Sequence, residues 1–211
     1  MIQIKDEINR LYGFIPDDEI VQKLLNWRDL FIEYNSHTNL MSKNDVAVLF
    51  EKHVLDSLSI SLFDEFNSAK TILDVGCGGG FPSLILSIFF PDKKIIAIDS
   101  ITKKVRFLNL VKDELKLNNL ETIVGRMENI KPLNVDIITN RAVGKISAVA
   151  KFSIHHLKQN GYFVSYKSLT SKEEAMVAKN MIKEFNQPIF ISYDLPLKEN
   201  HFRELVIFKK N

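Results

Sequence analysis

Residues 71 to 82, Thr-Ile-Leu-Asp-Val-Gly-Cys-Gly-Gly-Gly-Phe-Pro, constrain this chain more than any other stretch. An apolar run, Ile72, Leu73 and Val75, carries an acid, Asp74, two residues before Gly76. Gly76, Gly78, Gly79 and Gly80 follow, and then an apolar helical stretch from Ser83 to Phe90. Strand, glycine turn and helix N-terminus in that order open a nucleotide-binding βαβ unit. Glycine suits such a turn because the backbone takes unusual φ/ψ and a ligand approaches it closely.

The spacing of the glycines selects among nucleotides. A dinucleotide fingerprint is G-x-G-x-x-G; counted from Gly76, its third glycine falls on Phe81. That disfavours a nicotinamide oxidoreductase. The loop fits D-x-G-x-G-x-G instead, the pattern of S-adenosylmethionine (SAM) methyltransferases. SAM has no pyrophosphate for a helix N-terminus to hold. It has an ammonium and a sulfonium, and Asp74 suits that charge directly or by ordering the loop. A ligand-free glycine turn is the plainer reading. Against it, a second apolar strand, Lys94 to Ile98, ends in Asp99, 23 residues after Gly76. An acid about 20 residues on, at the tip of strand two, is placed to accept ribose hydroxyls. Asp99 could equally cap the next helix, a task open to Ser100 or Thr102 as well.

Strand-like runs at 71–75, 94–98, 120–124, 135–139, 161–166, 189–193 and 204–209 alternate with helical stretches at 83–90, 102–117, 144–158 and 171–185. Only a short segment near 126–132 separates the third and fourth strands. Alternation of this kind implies a parallel, doubly wound α/β sheet. The 194–203 connection is too short for a helical crossover, so the last two strands form an antiparallel pair. The expected fold is a Rossmann-like methyltransferase fold: seven strands, mostly parallel, the last antiparallel. Before it, helical spacing runs over 17–35, capped by Asp17 or Asp18, and over 45–62, with a loop at 36–44. Residues 1–66 are thus expected to form a helical extension and 67–211 the SAM-binding domain. In such a sheet the ligand lies beyond the carboxyl ends of the strands. Gly76–Gly80, Asp99, Gly125–Glu128, Asn140–Arg141 and Lys167 are then expected around one cleft.

Totals narrow the class. A length of 211 residues suits one domain with an extension, and 45% hydrophobic with 26% charged residues is ordinary for a globular chain. No apolar run approaches the roughly 20 residues of a membrane span, and the first residues do not read as a signal peptide. A cytoplasmic protein is expected. Cys77 is the one cysteine, so neither an intrachain disulfide nor a cysteine metal cluster is expected; it serves as a small residue or as a reactive thiol. Residues 1–66 hold 6 Lys/Arg and 12 Asp/Glu, for −6, while 67–211 hold 22 and 14, for +8. A basic catalytic region is compatible with a phosphate-backbone partner.

Several residues are candidates for chemistry. Met127 and Glu128 follow strand three, where a methyltransferase cradles adenine; Met127 offers a soft apolar surface and Glu128 a partner for the base edge. They would otherwise form an ordinary loop. Arg141 ends strand four, without the Asn/Asp-Pro-Pro-Tyr motif of many amino methyltransferases, which argues against an exocyclic amine as acceptor. Lys167 ends strand five, facing a phosphate, a base or solvent. His53, Asp56 and Ser57 share one helical turn. Three triad members on one turn cannot make a hydrolase triad, and no G-x-S-x-G elbow is present.

Taken together, these stretches resemble the RsmG (GidB) family, which methylates N7 of a guanine in bacterial 16S ribosomal RNA. The resemblance rests on Asn39-Leu40, His53-Val-Leu-Asp-Ser-Leu58, Leu73 to Pro82, and Asp99-Ser100 with Lys103, Lys104, Phe107 and Leu108. Arg126-Met-Glu128, Arg141-Ala142 and Lys167 complete it. It implies a SAM site lined by Gly76, Phe81, Met127, Glu128 and Arg141, with Asp99 on the ribose; Asp74, Gly78, Gly80 and Ser100 are expected to bind the cofactor as well. It implies Arg141, Lys167 and His53 as catalytic candidates, His53 mainly for positioning, and no metal. The implied partner is 16S ribosomal RNA or the small-subunit particle, bound by a monomer. The chain departs from the family at Ser83 and Ser168, where glycine is usual, and at Lys104, where arginine is common. A methyltransferase of another RNA, protein or small molecule, or a SAM- or RNA-binding protein without turnover, stays open.

Overall fold

Alternation along the strands sorts their side chains onto two faces, and each face has its own apolar core. The computed structural model describes residues 1–141, 144–168, 171–197 and 201–211. The strands are β1 (Thr71–Val75), β2 (Lys94–Asp99), β3 (Leu120–Val124), β4 (Val135–Arg141), β5 (Leu157–Ser168), β6 (Ile189–Leu195) and β7 (His201–Lys209). They form one sheet in the order β3-β2-β1-β4-β5-β7-β6. The β1–β2, β1–β4, β2–β3 and β4–β5 pairs are parallel, and β7 runs antiparallel to both β5 and β6. This is the expected seven-stranded arrangement. Of the short 194–203 connection, residues 198–200 lie outside the described residues, as does Ala142 of the quoted Arg-Ala pair.

On one face Ile72, Ala97, Ile137, Val164 and Ile207 meet Trp27, Phe31, Leu55, Leu84 and Phe107. Those residues come from α2 (Asp18–Thr38), α4 (Leu55–Leu58), α6 (Ser83–Phe89) and α7 (Thr102–Glu114). On the other face Leu73, Ile98, Ile138, Phe163 and Val206 meet Val149, Ala178 and Phe185, carried by α8 (Ile146–Ser153), α9 (Lys172–Met181) and the segment after it. The N-terminal helices therefore share a core with the sheet, and that core crosses the expected boundary at residue 66.

The N-terminal helices differ from the sequence expectation in two places. The expected elements do not include α1 (Ile2–Tyr12), although Ile4, Ile8, Leu11 and Tyr12 follow helical spacing; the helix ends at Gly13 in the left-handed region, φ 72°. Ile8 is fully buried, and Ile4, Leu11 and Tyr12 pack beside it against the core. The 45–62 stretch is not one helix. It runs as α3 (Lys43–Val46), a π-helical turn at Leu49–Val54, α4 and a 3₁₀ turn at Ser59–Leu62, followed by α5 (Glu65–Ser68). A π turn opens the i→i+4 pattern by one residue, which apolar spacing does not report. Of the two expected caps, Asp17 is the one used: its Oδ1 accepts from the Ile20 amide at 2.7 Å.

Candidate functional site

The carboxyl edge of the sheet gathers the glycine loop and the acids that follow it. Gly76 sits at φ 71° and Gly78 at φ 57°, conformations glycine reaches without a Cβ penalty. At Gly80, φ is 94° and a Cβ would lie 2.3 Å from Leu84 Cδ1, so the loop closes on α6 only with glycine there. The amides of Gly76 and Cys77 donate to the Ile98 carbonyl, at 2.8 and 3.0 Å, which ties the loop to β2. The amide of Gly78 donates to Asp99 Oδ2 at 2.9 Å, and that of Ile101 to Asp99 Oδ1 at 2.9 Å. Each carboxylate oxygen has two acceptor positions, so Asp99 keeps acceptor capacity for a ligand beside the loop it orders. Lys104 Nζ stands 3.7 Å from Asp99 Oδ2.

A cavity of about 460 Å³ opens along this edge, lined by Gly76, Asp99, Ser100, Met127, Glu128 and Phe152 among others. That lies within the roughly 300–1,000 Å³ of small-molecule sites. Its lining combines Asp99 and Glu128 with Lys104 and Arg126, and its apolar part includes Ala148, Val149 and Phe152 of α8. The sequence places a helix at 144–158 but does not mark it as a wall of the cleft. The one available signal was Phe152, a large apolar side chain 48% exposed, four residues after Ala148 on the same helical face. These features fit SAM. Asp99 keeps acceptor capacity, the Met127 thioether lines the same cavity, and nothing but the Gly76 carbonyl at 3.9 Å would meet a Cβ on Gly78.

The remaining expected residues lie elsewhere. Asp74 is fully buried. Its oxygens accept from the Ser83 amide at 3.2 Å and the Thr139 hydroxyl at 3.1 Å, so it ties β1 to α6 and β4 and orders the loop from beneath. Burial pushes its carboxyl up to about 6, against the pull of those donors and of Arg141. Phe81 faces away from the large cavity, packed edge-on against Trp27 and Phe31, with ring centroids 5.6 Å apart in each case. Aromatic burial wins over ligand contact at that position because α2 covers it. Cys77 is buried, and burial raises its thiol well above the usual range; it acts as a small packing residue.

Arg141 crosses to a second cluster. Its guanidinium lies 4.9 Å from the centre of the Phe81 ring. Nη1 donates to Asp56 Oδ2 at 3.1 Å and Nη2 meets His53 Nδ1 at 3.0 Å. The shared face of His53 and Asp56 is thus the face that receives Arg141, while Ser57 turns back onto the His53 carbonyl at 2.7 Å. Burial and the neighbouring guanidinium lower His53 to about 4, so near neutrality Nδ1 is the acceptor for Arg141. Nε2–H has no hydrogen-bond partner among the described residues, Asp45 Oδ1 being 3.6 Å away. Asp56 also accepts from the Tyr193 hydroxyl at 2.6 Å and from Arg203 Nε at 3.1 Å. Tyr193 and Arg203 come from β6 and β7, 137 and 147 residues away, and no local spacing announces them.

Lys167 is engaged rather than free. Its Nζ donates to Glu174 Oε1 at 3.0 Å, and the same oxygen accepts from the Ile146 amide at 2.6 Å. The pair fixes the N-terminus of α8 against α9.

Comparison with known proteins agrees with this geometry. Residues 20–193 match the model of the GidB family, described as rRNA small subunit methyltransferase G. A ribosomal RNA small subunit methyltransferase G from Fusobacterium nucleatum is 39% identical over 90% of this chain and 83% of its own length. Another, from Lysinibacillus sphaericus, is 35% identical over 94% and 86%. Among solved structures, an O-methyltransferase from Bacillus cereus in complex with SAH aligns with a TM-score of 0.62 at 13% identity, covering 99% of this chain and 97% of that one. At that identity the likeness shows the shared fold. By its family match and by relatives aligned over most of its length, the chain belongs to the GidB family of small-subunit ribosomal RNA methyltransferases.

Proposed function

We propose that this protein transfers the methyl group of SAM to N7 of a guanine in 16S ribosomal RNA, acting as a cytoplasmic monomer on the RNA or the small-subunit particle. The supporting observation is the cavity at the carboxyl edge. Asp99, held by two loop amides, stands there across from Met127 and Glu128, in a chain of an rRNA methyltransferase family. No helix of the described residues is long and apolar enough to cross a membrane.

Bound SAM supplies an electrophilic methyl on a sulfonium. Asp99 would accept the ribose hydroxyls, Met127 pack on the adenine and Glu128 accept from the base edge. Gly76 and Gly78 let the backbone approach the amino acid end. Asp74 shapes that loop from below through the Ser83 amide. Guanine N7 carries an in-plane lone pair and no proton, so the reaction needs no general base. The chain's contribution is in-line positioning. Arg141, held by Asp56 and neutral His53 and backed by Phe81, would donate to the acceptor guanosine, its guanidinium suiting O6 while N7 stays free. Lys167 acts at one remove, by fixing α8 along the cofactor cavity.

Labelled SAM, small-subunit RNA from a strain lacking this protein, and nucleoside analysis test the assignment. Label in 7-methylguanosine is expected, and it is expected to fall sharply in Arg141→Ala. Label in another nucleoside would retain the cofactor site and discard the acceptor.

A further inference from the structure

A second cavity, of about 190 Å³, is lined by Lys52, His53, Asp56, Arg141, Leu195 and Arg203. It belongs to the same edge of the molecule as the cofactor cavity. Arg141 is the last residue of β4. Arg203 is in register with Ser168, the last residue of β5, and with Tyr193 of β6. The cofactor cavity sits at the ends of β1, β2 and β3; this one sits at the ends of β4, β5 and the antiparallel pair.

Its wall sets three cations, Lys52, Arg141 and Arg203, beside the apolar Leu195 and Leu197. Arg141 Nη1, the Tyr193 hydroxyl, and Arg203 Nε and Nη2 all donate to Asp56. That fills the acceptor positions of its two oxygens. Asp56 therefore serves as the anchor of two guanidiniums and has little capacity left for a ligand. Each guanidinium carries five N–H donors and spends two on described protein partners. Lys52, paired with Asp45 at 2.6 Å, adds a third cation whose side chain is 44% exposed. Fork-shaped donors without acceptors, at a solvent-reachable edge, match the oxygens of a phosphodiester in a bidentate way.

We propose that this cavity is a phosphate subsite for the acceptor RNA strand, formed by Arg203 and Lys52 together with Arg141. It seats a backbone phosphate of the strand and so presents the neighbouring guanosine to the cofactor cavity. The inference rests on the RNA reading above and adds to it a position for the strand and two residues no sequence motif marks.

The test is the salt dependence of binding of protein-free small-subunit RNA by the full chain, with SAM affinity and thermal midpoint measured alongside. Lys52→Gln and Arg203→Gln are each expected to lower the slope of log Kd against log salt by about 0.7–0.9 for each phosphate that is no longer neutralised, with SAM affinity unchanged. Lys70→Gln, just before β1 on the opposite edge, is expected to leave the slope as it is. Arg203→Lys is expected to keep the slope but reduce methyl transfer, because the charge remains and the fork is gone. If Arg203→Gln melts the fold, Lys52→Gln decides alone. Wild-type slopes in the folded variants, or an equal drop in Lys70→Gln, would overturn the subsite. If the wild-type protein methylates no small-subunit RNA, the acceptor reading fails instead, which is a separate result.

Discussion

Two acids of the glycine-loop region show how one residue type takes opposite tasks. Asp99 presents open acceptors to the cavity, whereas Asp74 is sealed beneath the loop. Asp99→Ala removes the proposed ribose acceptors and the partner of the Gly78 amide. Hydrogen bonds to a charged group contribute about 1.5–3 kcal/mol each, so SAM should bind at least about tenfold more weakly by calorimetry. Unchanged affinity would take Asp99 out of the site. For Asp74 the signature is pH. Its folded-state value, raised to about 6 from 3.8, means that the folded protein prefers the neutral acid. The wild type therefore has its full contribution below about pH 4 and loses it as pH rises through 6. At 1.36 kcal/mol per unit the change is about 3 kcal/mol. Asp74→Asn does not titrate, so the stability difference between the two, read by denaturant melts, should move in favour of the variant between pH 4 and 6. A difference that is flat across that range would mean the carboxyl is not shifted. Both acids are visible in the sequence, since each sits at a strand end at a fixed spacing from the glycines. That one of them is buried is not visible there, because it depends on α6 and β4 closing over it.

Elements are legible where their period is clean. All seven strands and the helices 83–90, 102–117 and 171–185 follow from alternation and apolar spacing, with ends a few residues off. The π turn at Leu49–Val54 does not, because it leaves the apolar pattern unchanged; the helix at Ile2–Tyr12 carries the pattern in Ile4, Ile8 and Leu11 but is too short and too close to the chain start to be read. Contacts between elements are the least legible. Lys167, expected to face a phosphate, a base or solvent, is bound by Glu174 of α9, and that carboxylate also caps the α8 amide of Ile146. Because α8 supplies Ala148, Val149 and Phe152 to the cofactor cavity, the joint carries a prediction. Glu174→Ala leaves the Ile146 amide and Lys167 without this acceptor and loosens that wall. SAM affinity should fall roughly tenfold, the effect of about 1.4 kcal/mol and within the worth of a charged hydrogen bond. Lys167→Gln should reproduce only part of it. If Glu174→Ala changes turnover without touching SAM affinity, Lys167 acts on the acceptor after all.

At the scale of the whole molecule, the two cavities divide the carboxyl edge between a cofactor half and an acceptor half, with Phe81 and Arg141 packed together between the glycine loop and the His53–Asp56 turn. The imidazole that meets Arg141 is neutral near pH 7: burial and the guanidinium itself lower His53 to about 4. A low value for a histidine means that its folded contribution is complete above 6.5 and is lost as pH falls toward 4. His53 therefore stays neutral at pH 7, and methylation at N7 requires no proton removal before attack. The expected kcat profile is therefore level from about pH 7 upward, without the ascending limb that a general base imposes. It should decline below about pH 6, first as Asp74 takes up its proton and then as protonation of His53 breaks its hydrogen bond with Arg141. Single-turnover rates at saturating SAM and RNA separate this from binding effects. A rising limb with a midpoint near 7 would place a base in the mechanism and move the acceptor from N7 to a group that carries a proton.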